Sequence, residues 1–201
     1  MKLSLLDRIL FLLTGLLAAY QIAVGVDGMA TTAIVAYTIA FGILLVAGLL
    51  LLILGLDVLE SPVVVVLSTV IPLGLSLGIV WERLPGWRTP YLVFVIVGFL
   101  AILATRLRPM PNKLPVFVLA LVHGIAGLTI SQLPILFSLT GRAPPGFALV
   151  GVGGALIGIG GLLLALLKAG RPLLPRQVIL RMFPGLLLLM TLAFVAGFAL
   201  A

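Results

Sequence analysis

The sequence predicts an all-α, polytopic integral membrane bundle of about seven transmembrane helices, and three observations carry that expectation. Seven apolar stretches approach or exceed the roughly 20 residues a helix needs to cross a bilayer, and none has Lys, Arg, Asp or Glu near its middle. Of the 201 residues, 63% are hydrophobic and 8% are charged, a balance that a water-soluble core of this size does not accommodate. The links between stretches are short, which places consecutive helices antiparallel and adjacent. No polar segment is long enough to fold separately, so a single transmembrane domain over 1–201 is expected.

The elements follow in order. The first helix is expected at Arg8–Val26 and closes at Asp27-Gly28. Met1-Lys2 and the small residues Ala23-Val24-Gly25 also fit a cleavable secretory signal, but the apolar run is longer than the core of one, so a retained helix is expected. The second helix, Thr32–Leu56, is long and ends before Ser61-Pro62, which opens the third at Pro62–Trp81. Pro85-Gly86 separates that from a short fourth helix, Tyr91–Thr105, so the tilts must differ. Pro109 and Pro111 precede the fifth, Leu114–Leu139, and Gly141 to Gly146 precede the sixth, Gly146–Leu167. After Gly170 to Pro175 comes the seventh, Ile179–Ala201.

Charge gives direction. With the N-terminus cytoplasmic, nine of the twelve basic residues fall on the inner side: Lys2, Arg8, Arg106, Arg108, Lys113, Lys168, Arg171, Arg176 and Arg181. Arg83, Arg88 and Arg142 fall outside. A bias of that size is the positive-inside pattern, and it emerges only when the spans between basic links are counted correctly. The C-terminus is then outside, and Trp81, Trp87 and Tyr91 are expected in the outer headgroup zone. The net charge of +7 is distributed between apolar runs, so it marks topology and contacts with membrane lipids rather than nucleic acid. The expected localisation is a prokaryotic inner, or thylakoid, membrane.

Several helices have a face that avoids lipid. In the sixth, Gly151, Gly154, Gly158 and Gly161 form one narrow stripe at 100° per residue, and Gly154-xxx-Gly158 is a small-xxx-small pattern. A nucleotide loop at Gly151 is set aside because no strand precedes it. In the fifth, His123, Gly127, Ser131 and Pro134 share a face, and Pro134 frees the Ile130 carbonyl for another partner. Thr14 and Gln21 in the first helix, and Ser68 and Ser76 in the third, repeat the arrangement. These residues either line a central polar seam of helices one, three and five or pack against one another. Gln132 lies opposite His123 on helix five and is expected to hydrogen-bond structurally.

Little chemistry is available to such a chain. It has no cysteine and one histidine, His123, which removes thiolate metal sites and a bis-histidine haem. His123 is expected to be neutral and hydrogen-bonded to a neighbouring helix, with a single-ligand haem or chlorophyll, or a proton relay, as its alternative roles; otherwise no cofactor and no metal are expected. Asp57 and Glu60, in an inner link, are read as partners of the basic links. A membrane enzyme acting on lipid head groups through that carboxylate pair is a third reading. The intramembrane carboxylate that ion-coupled transport relies on is missing.

Helices one to three and five to seven run in matching directions around helix four, and Pro72 is answered by Pro184. This resembles the three-plus-one-plus-three plan of SWEET sugar transporters. The prolines expected in helices one and six are missing and the orientation is reversed, so no family is assigned.

Packing faces without chemistry point to a non-catalytic membrane subunit or assembly factor of a larger complex, with other membrane subunits as partners. A small permease or channel along the seam is the alternative. The orientation is directly testable. Reporter fusions after Lys113 and after Arg142 should report the inside and the outside respectively, and one side for both contradicts the span count.

Overall fold

The computed structural model describes residues 3–26, 28–107, 113–168 and 170–201. Lys2, Asp27, Arg108, Pro109, Pro111 and Asn112 lie outside these, as do the side chains of Glu60 and Lys168. Among the described residues there are seven α-helices and no strand: α1 Leu5–Val24, α2 Thr31–Leu54, α3 Pro62–Arg83, α4 Arg88–Leu107, α5 Leu114–Leu139, α6 Ala148–Lys168 and α7 Arg176–Ala199. All seven are long and apolar enough to cross a membrane.

Local chemistry sets the ends that hydropathy misplaced. The first helix starts at Leu5 rather than Arg8 because Ser4 caps it. Its hydroxyl accepts from the Asp7 N–H at 3.1 Å and the Asp7 carboxylate accepts from the Ser4 N–H at 2.8 Å, a reciprocal pair that satisfies two donors of the first turn. The fourth helix is not short: it has 20 residues and starts at Arg88. Pro90 lies in its first turn, where a missing N–H breaks no intrahelical bond.

Six helices close a ring in the order α1, α2, α3, α5, α6, α7 and back to α1, while α4 lies outside against α3 and α5. The centre of the ring is filled by aromatic and aliphatic side chains. Tyr37 of α2 packs against Phe198 of α7 with centroids 4.6 Å apart and planes tilted by 54°, and Phe41 meets Phe194 edge-on at 6.5 Å. Phe41, Phe194, Ile130 and Met190 are almost wholly buried there. The links α1–α2, α3–α4 and α5–α6 share one face of the bundle with Ala201, called here the C-terminal face. The opposite, N-terminal face carries Arg8, Arg106, Lys113, Arg171, Arg176 and Arg181 at or near helix ends, against Arg83, Arg88 and Arg142 on the C-terminal face.

Glycine decides how closely the helices approach. A Cβ on Gly74 of α3 would stand 2.7 Å from the Ala36 carbonyl oxygen of α2. On α6 the predicted stripe divides. A Cβ on Gly151 would meet the Ser131 carbonyl oxygen at 2.6 Å, and one on Gly154 would meet the Ile130 carbonyl carbon at 2.9 Å. Those are backbone atoms of α5 at the turn that Pro134 opens, so glycine stripe and proline kink belong to one contact. Gly158 and Gly161 do not extend it. Both are exposed, and no described neighbouring atom lies within 4 Å of a Cβ on either. Instead Gly153 and Gly160, which the stripe omitted, face Phe194 and Leu186 of α7. The physical reason is curvature of the path around the ring: α6 must serve α5 on one side and α7 on the other, so its contact glycines lie on two faces.

Gly154→Leu should therefore separate α5 from α6 and destabilise the fold by about 1–3 kcal/mol. Gly158→Leu should leave the melting temperature of the isolated chain in detergent unchanged. Equal losses for both substitutions contradict this packing.

Candidate functional site

The sequence-predicted polar residues do not converge. Thr14 and Gln21 sit on α1, which packs on α2 and α7 and lies across the ring from α3 and α5. Thr14 is fully buried and donates to the Leu10 carbonyl at 2.9 Å, while Gln21 Nε2 donates to the Gly25 carbonyl at 2.7 Å. Ser68, half-buried on α3, donates to Val65 O at 3.0 Å. Ser131 donates to Leu128 O at 3.3 Å, and Gln132 is exposed on α5 with only a 3.4 Å contact to the Ser131 hydroxyl. Each group thus turns back on its own helix, which removes the cost of an unmet donor in hydrocarbon. Among the described residues these groups form no continuous seam of helices one, three and five.

A polar junction within the spans does join helices, and of its members only Ser76 was named for the polar seam. The Tyr91 hydroxyl of α4 donates to Thr129 Oγ1 of α5 at 3.1 Å and meets the hydroxyl of fully buried Ser76 on α3. Thr129 and Ser76 in turn donate to Ile125 O and Leu73 O. Tyr91 was expected at the headgroups. It turns inward because α4 lies outside the ring and this hydroxyl cluster fastens it there. Trp87 does stand exposed, and Trp81 is partly buried against the core.

His123 is half-buried on α5. Its Nδ1 is buried with no hydrogen-bond partner on a neighbouring helix, and the backbone group that acts on the imidazole is Leu119, one turn back on α5. Arg106 of α4 is close enough for its charge to act on the imidazole, and its own Nε is also buried and unpartnered. No second imidazole, thiol or carboxylate joins them: among the described residues no three His, Cys, Asp or Glu side chains cluster in a way that could hold a metal ion.

An opening lies on the C-terminal face. A cavity of about 480 Å³ is walled by Gln21 of α1, Met29 of the first link, Glu82 and Arg83 of α3, and Phe198 of α7, with Tyr20 at its edge. Glu82 explains its local build. Helix α2 begins at Thr31 after Ala30, with no side-chain cap of its own and no acidic residue in its first turn. Glu82 reaches across from α3 and accepts the Ala30 N–H at 2.5 Å, placing a negative charge at the positive end of the α2 dipole. Arg83 lies over the Phe147 ring, 5.0 Å from its centroid, with one long contact of 3.5 Å to the Arg142 carbonyl. Arg88 donates to the Trp81 carbonyl at 2.7 Å, covering the end of α3. Sequence reasoning missed this site, although two adjacent opposite charges closing an apolar span were its signal.

Fold and site together define an all-helical bundle whose seven helices have the length and composition of a multi-pass membrane protein. Comparison with known proteins adds no closer assignment: no family model, no curated protein and no solved structure matches the chain.

Tyr91→Phe should loosen α4 with little effect on the ring. A loss of about 0.5–1.5 kcal/mol is expected from the missing hydrogen bond, read as faster hydrogen exchange confined to α4. Uniform loosening of all seven helices contradicts the peripheral placement of α4.

Proposed function

We propose that this chain is a multi-pass integral membrane protein that serves as a non-catalytic subunit or assembly factor of a larger membrane complex, with its N-terminus cytoplasmic and its C-terminus outside. The observation that carries the reading is the closed centre of the ring. Phe41, Phe194, Met190 and Ile130 occupy the space that a permease would keep for its substrate, and the hydroxyls of Thr14, Ser131 and Thr191 are bonded to their own helices. Such a bundle offers its outer surface rather than an interior path. On that surface Ala155, Gly158, Gly161 and Ala165 of α6 are all exposed, and small residues on an apolar helix let another helix approach closely in lipid. The basic N-terminal face supports a cytoplasmic orientation for that side and contact with anionic lipid.

A small permease or channel is the competing reading. It is supported by the cavity on the C-terminal face, which a path would have to continue past Phe41 and Phe194. The two readings separate in one pair of experiments. Gentle solubilisation followed by native mass measurement should show the chain bound to defined partner subunits, and Gly161→Leu should abolish that association without lowering the melting temperature of the isolated chain. Vesicles reconstituted with the chain alone should remain impermeable to small solutes and ions; a saturable flux through them overturns the subunit reading.

A further inference from the structure

The Tyr37 hydroxyl is buried and has no hydrogen-bond partner; Tyr37 is not in the wall of the C-terminal-face cavity but lines a narrow space next to it. An orphan hydroxyl within an apolar span is costly. Tyr37 stands six residues past the start of α2 at Thr31, about 9 Å below that helix end at 1.5 Å per residue. Helical side chains lean towards the N-terminus of their helix, and the N-terminus of α2 is at the C-terminal face, so the phenol rises towards the cavity. Its ring is held by two neighbours. A tilted Phe198 ring packs against it, and Gly78 of α3 leaves room for it only because it has no Cβ. The narrow space, of about 10 Å³, shares Gln21, Gly25 and Val26 with the main cavity. The charges of Glu82 and Arg83 both act on its hydroxyl.

The remaining capacity of the cavity has two signs. Glu82 uses Oε1 on the Ala30 N–H, which leaves its second oxygen. Gln21, which also walls the cavity, donates through Nε2, which leaves its carbonyl oxygen as an acceptor. Arg83 has five N–H donors and makes one long contact. An isolated cation or anion would satisfy one of these charges and oppose the other. A molecule with an ammonium and an anionic group a few bonds apart satisfies both.

We propose that the cavity is a binding site for a zwitterion carrying a primary ammonium and a phosphate. Its ammonium is received by Glu82 and the Gln21 carbonyl, its phosphate by Arg83, and Tyr37 supplies a hydrogen bond at the base. The source of that chemistry is either the headgroup of an ethanolamine phospholipid in the surrounding leaflet or a free phosphoethanolamine-like solute, and Tyr20 and Phe198 offer apolar walls beside it.

The full chain in maltoside detergent should be melted with dihexanoyl-phosphatidylethanolamine, with free phosphoethanolamine and with dihexanoyl-phosphatidylglycerol. A ligand that binds only the folded state raises the melting temperature. The ethanolamine lipid should give a saturable rise and the glycerol lipid, which has the phosphate without the ammonium, should not. A rise with phosphoethanolamine as well assigns a soluble ligand; a rise with the lipid alone assigns a headgroup. Glu82→Gln keeps an acceptor for Ala30 while removing the charge, and should weaken the apparent affinity about tenfold. Tyr37→Phe removes an unpartnered hydroxyl, so it should leave the unliganded chain as stable as before while still weakening binding. No rise with either ethanolamine ligand, an equal rise with the glycerol lipid, or full binding by both variants overturns the proposal.

Discussion

Backbone-to-backbone approach at glycine is the contact on which this bundle depends. In lipid, helices gain little from burying apolar side chains, because the solvent is as apolar as the protein. What remains is close packing, and the chain obtains it by removing side chains where helices cross: Gly74 against Ala36, Gly151 and Gly154 against α5, and Gly197 against Val150. The aromatic centre follows from this. Helices drawn together around the ring leave a core that Tyr37, Phe41, Phe194 and Phe198 fill with mutually tilted rings, an arrangement aromatic pairs favour.

The same constraint explains why the spans hold polar residues yet little chemistry. A serine or threonine in a span returns its proton to a carbonyl one turn back, as Thr14, Thr69 and Thr191 do at 2.8–2.9 Å. A hydroxyl bonded in that way is satisfied and unavailable. The exceptions are therefore informative. Ser76, Tyr91 and Thr129 fasten α4 to the ring, and Tyr37, His123 and Arg106 each keep a buried polar atom without a partner. Two of those three lie between α4 and α5 on the basic side, and the third lines a narrow space next to the charged cavity of the opposite face.

How much was legible in the sequence depends on the range of the interaction. Helix number and most boundaries rest on local hydropathy, and all seven spans lie where the apolar runs place them. The start of α1 was missed because a Ser4–Asp7 cap extends it into polar sequence. Periodicity grouped Gly151 with Gly154 on α6 and Ser131 with Pro134 on α5, and in the structure Gly151 and Gly154 approach the Ile130–Ser131 backbone. It did not say which neighbour a face meets or how far a contact runs, so Gly158 and Gly161 were grouped with a contact they lie beyond. The polar seam failed for the same reason: Thr14 and Gln21 do face inward, but across the ring from α3 and α5. Glu82 and Tyr37 were invisible as a pair because 45 residues separate them in sequence, and only the α2–α3 crossing at Gly78 unites them.

The absence of cysteine from the chain makes paired cysteine substitution the most direct test of the ring. In native membranes, Tyr37→Cys combined with Phe198→Cys should cross-link through a short bifunctional reagent, because α2 and α7 meet at the centre. Thr14→Cys combined with Ser131→Cys should not, because α1 and α5 stand on opposite sides of the aromatic core. Efficient cross-linking of the second pair with none of the first contradicts the closed ring and restores a polar seam through the middle of the protein.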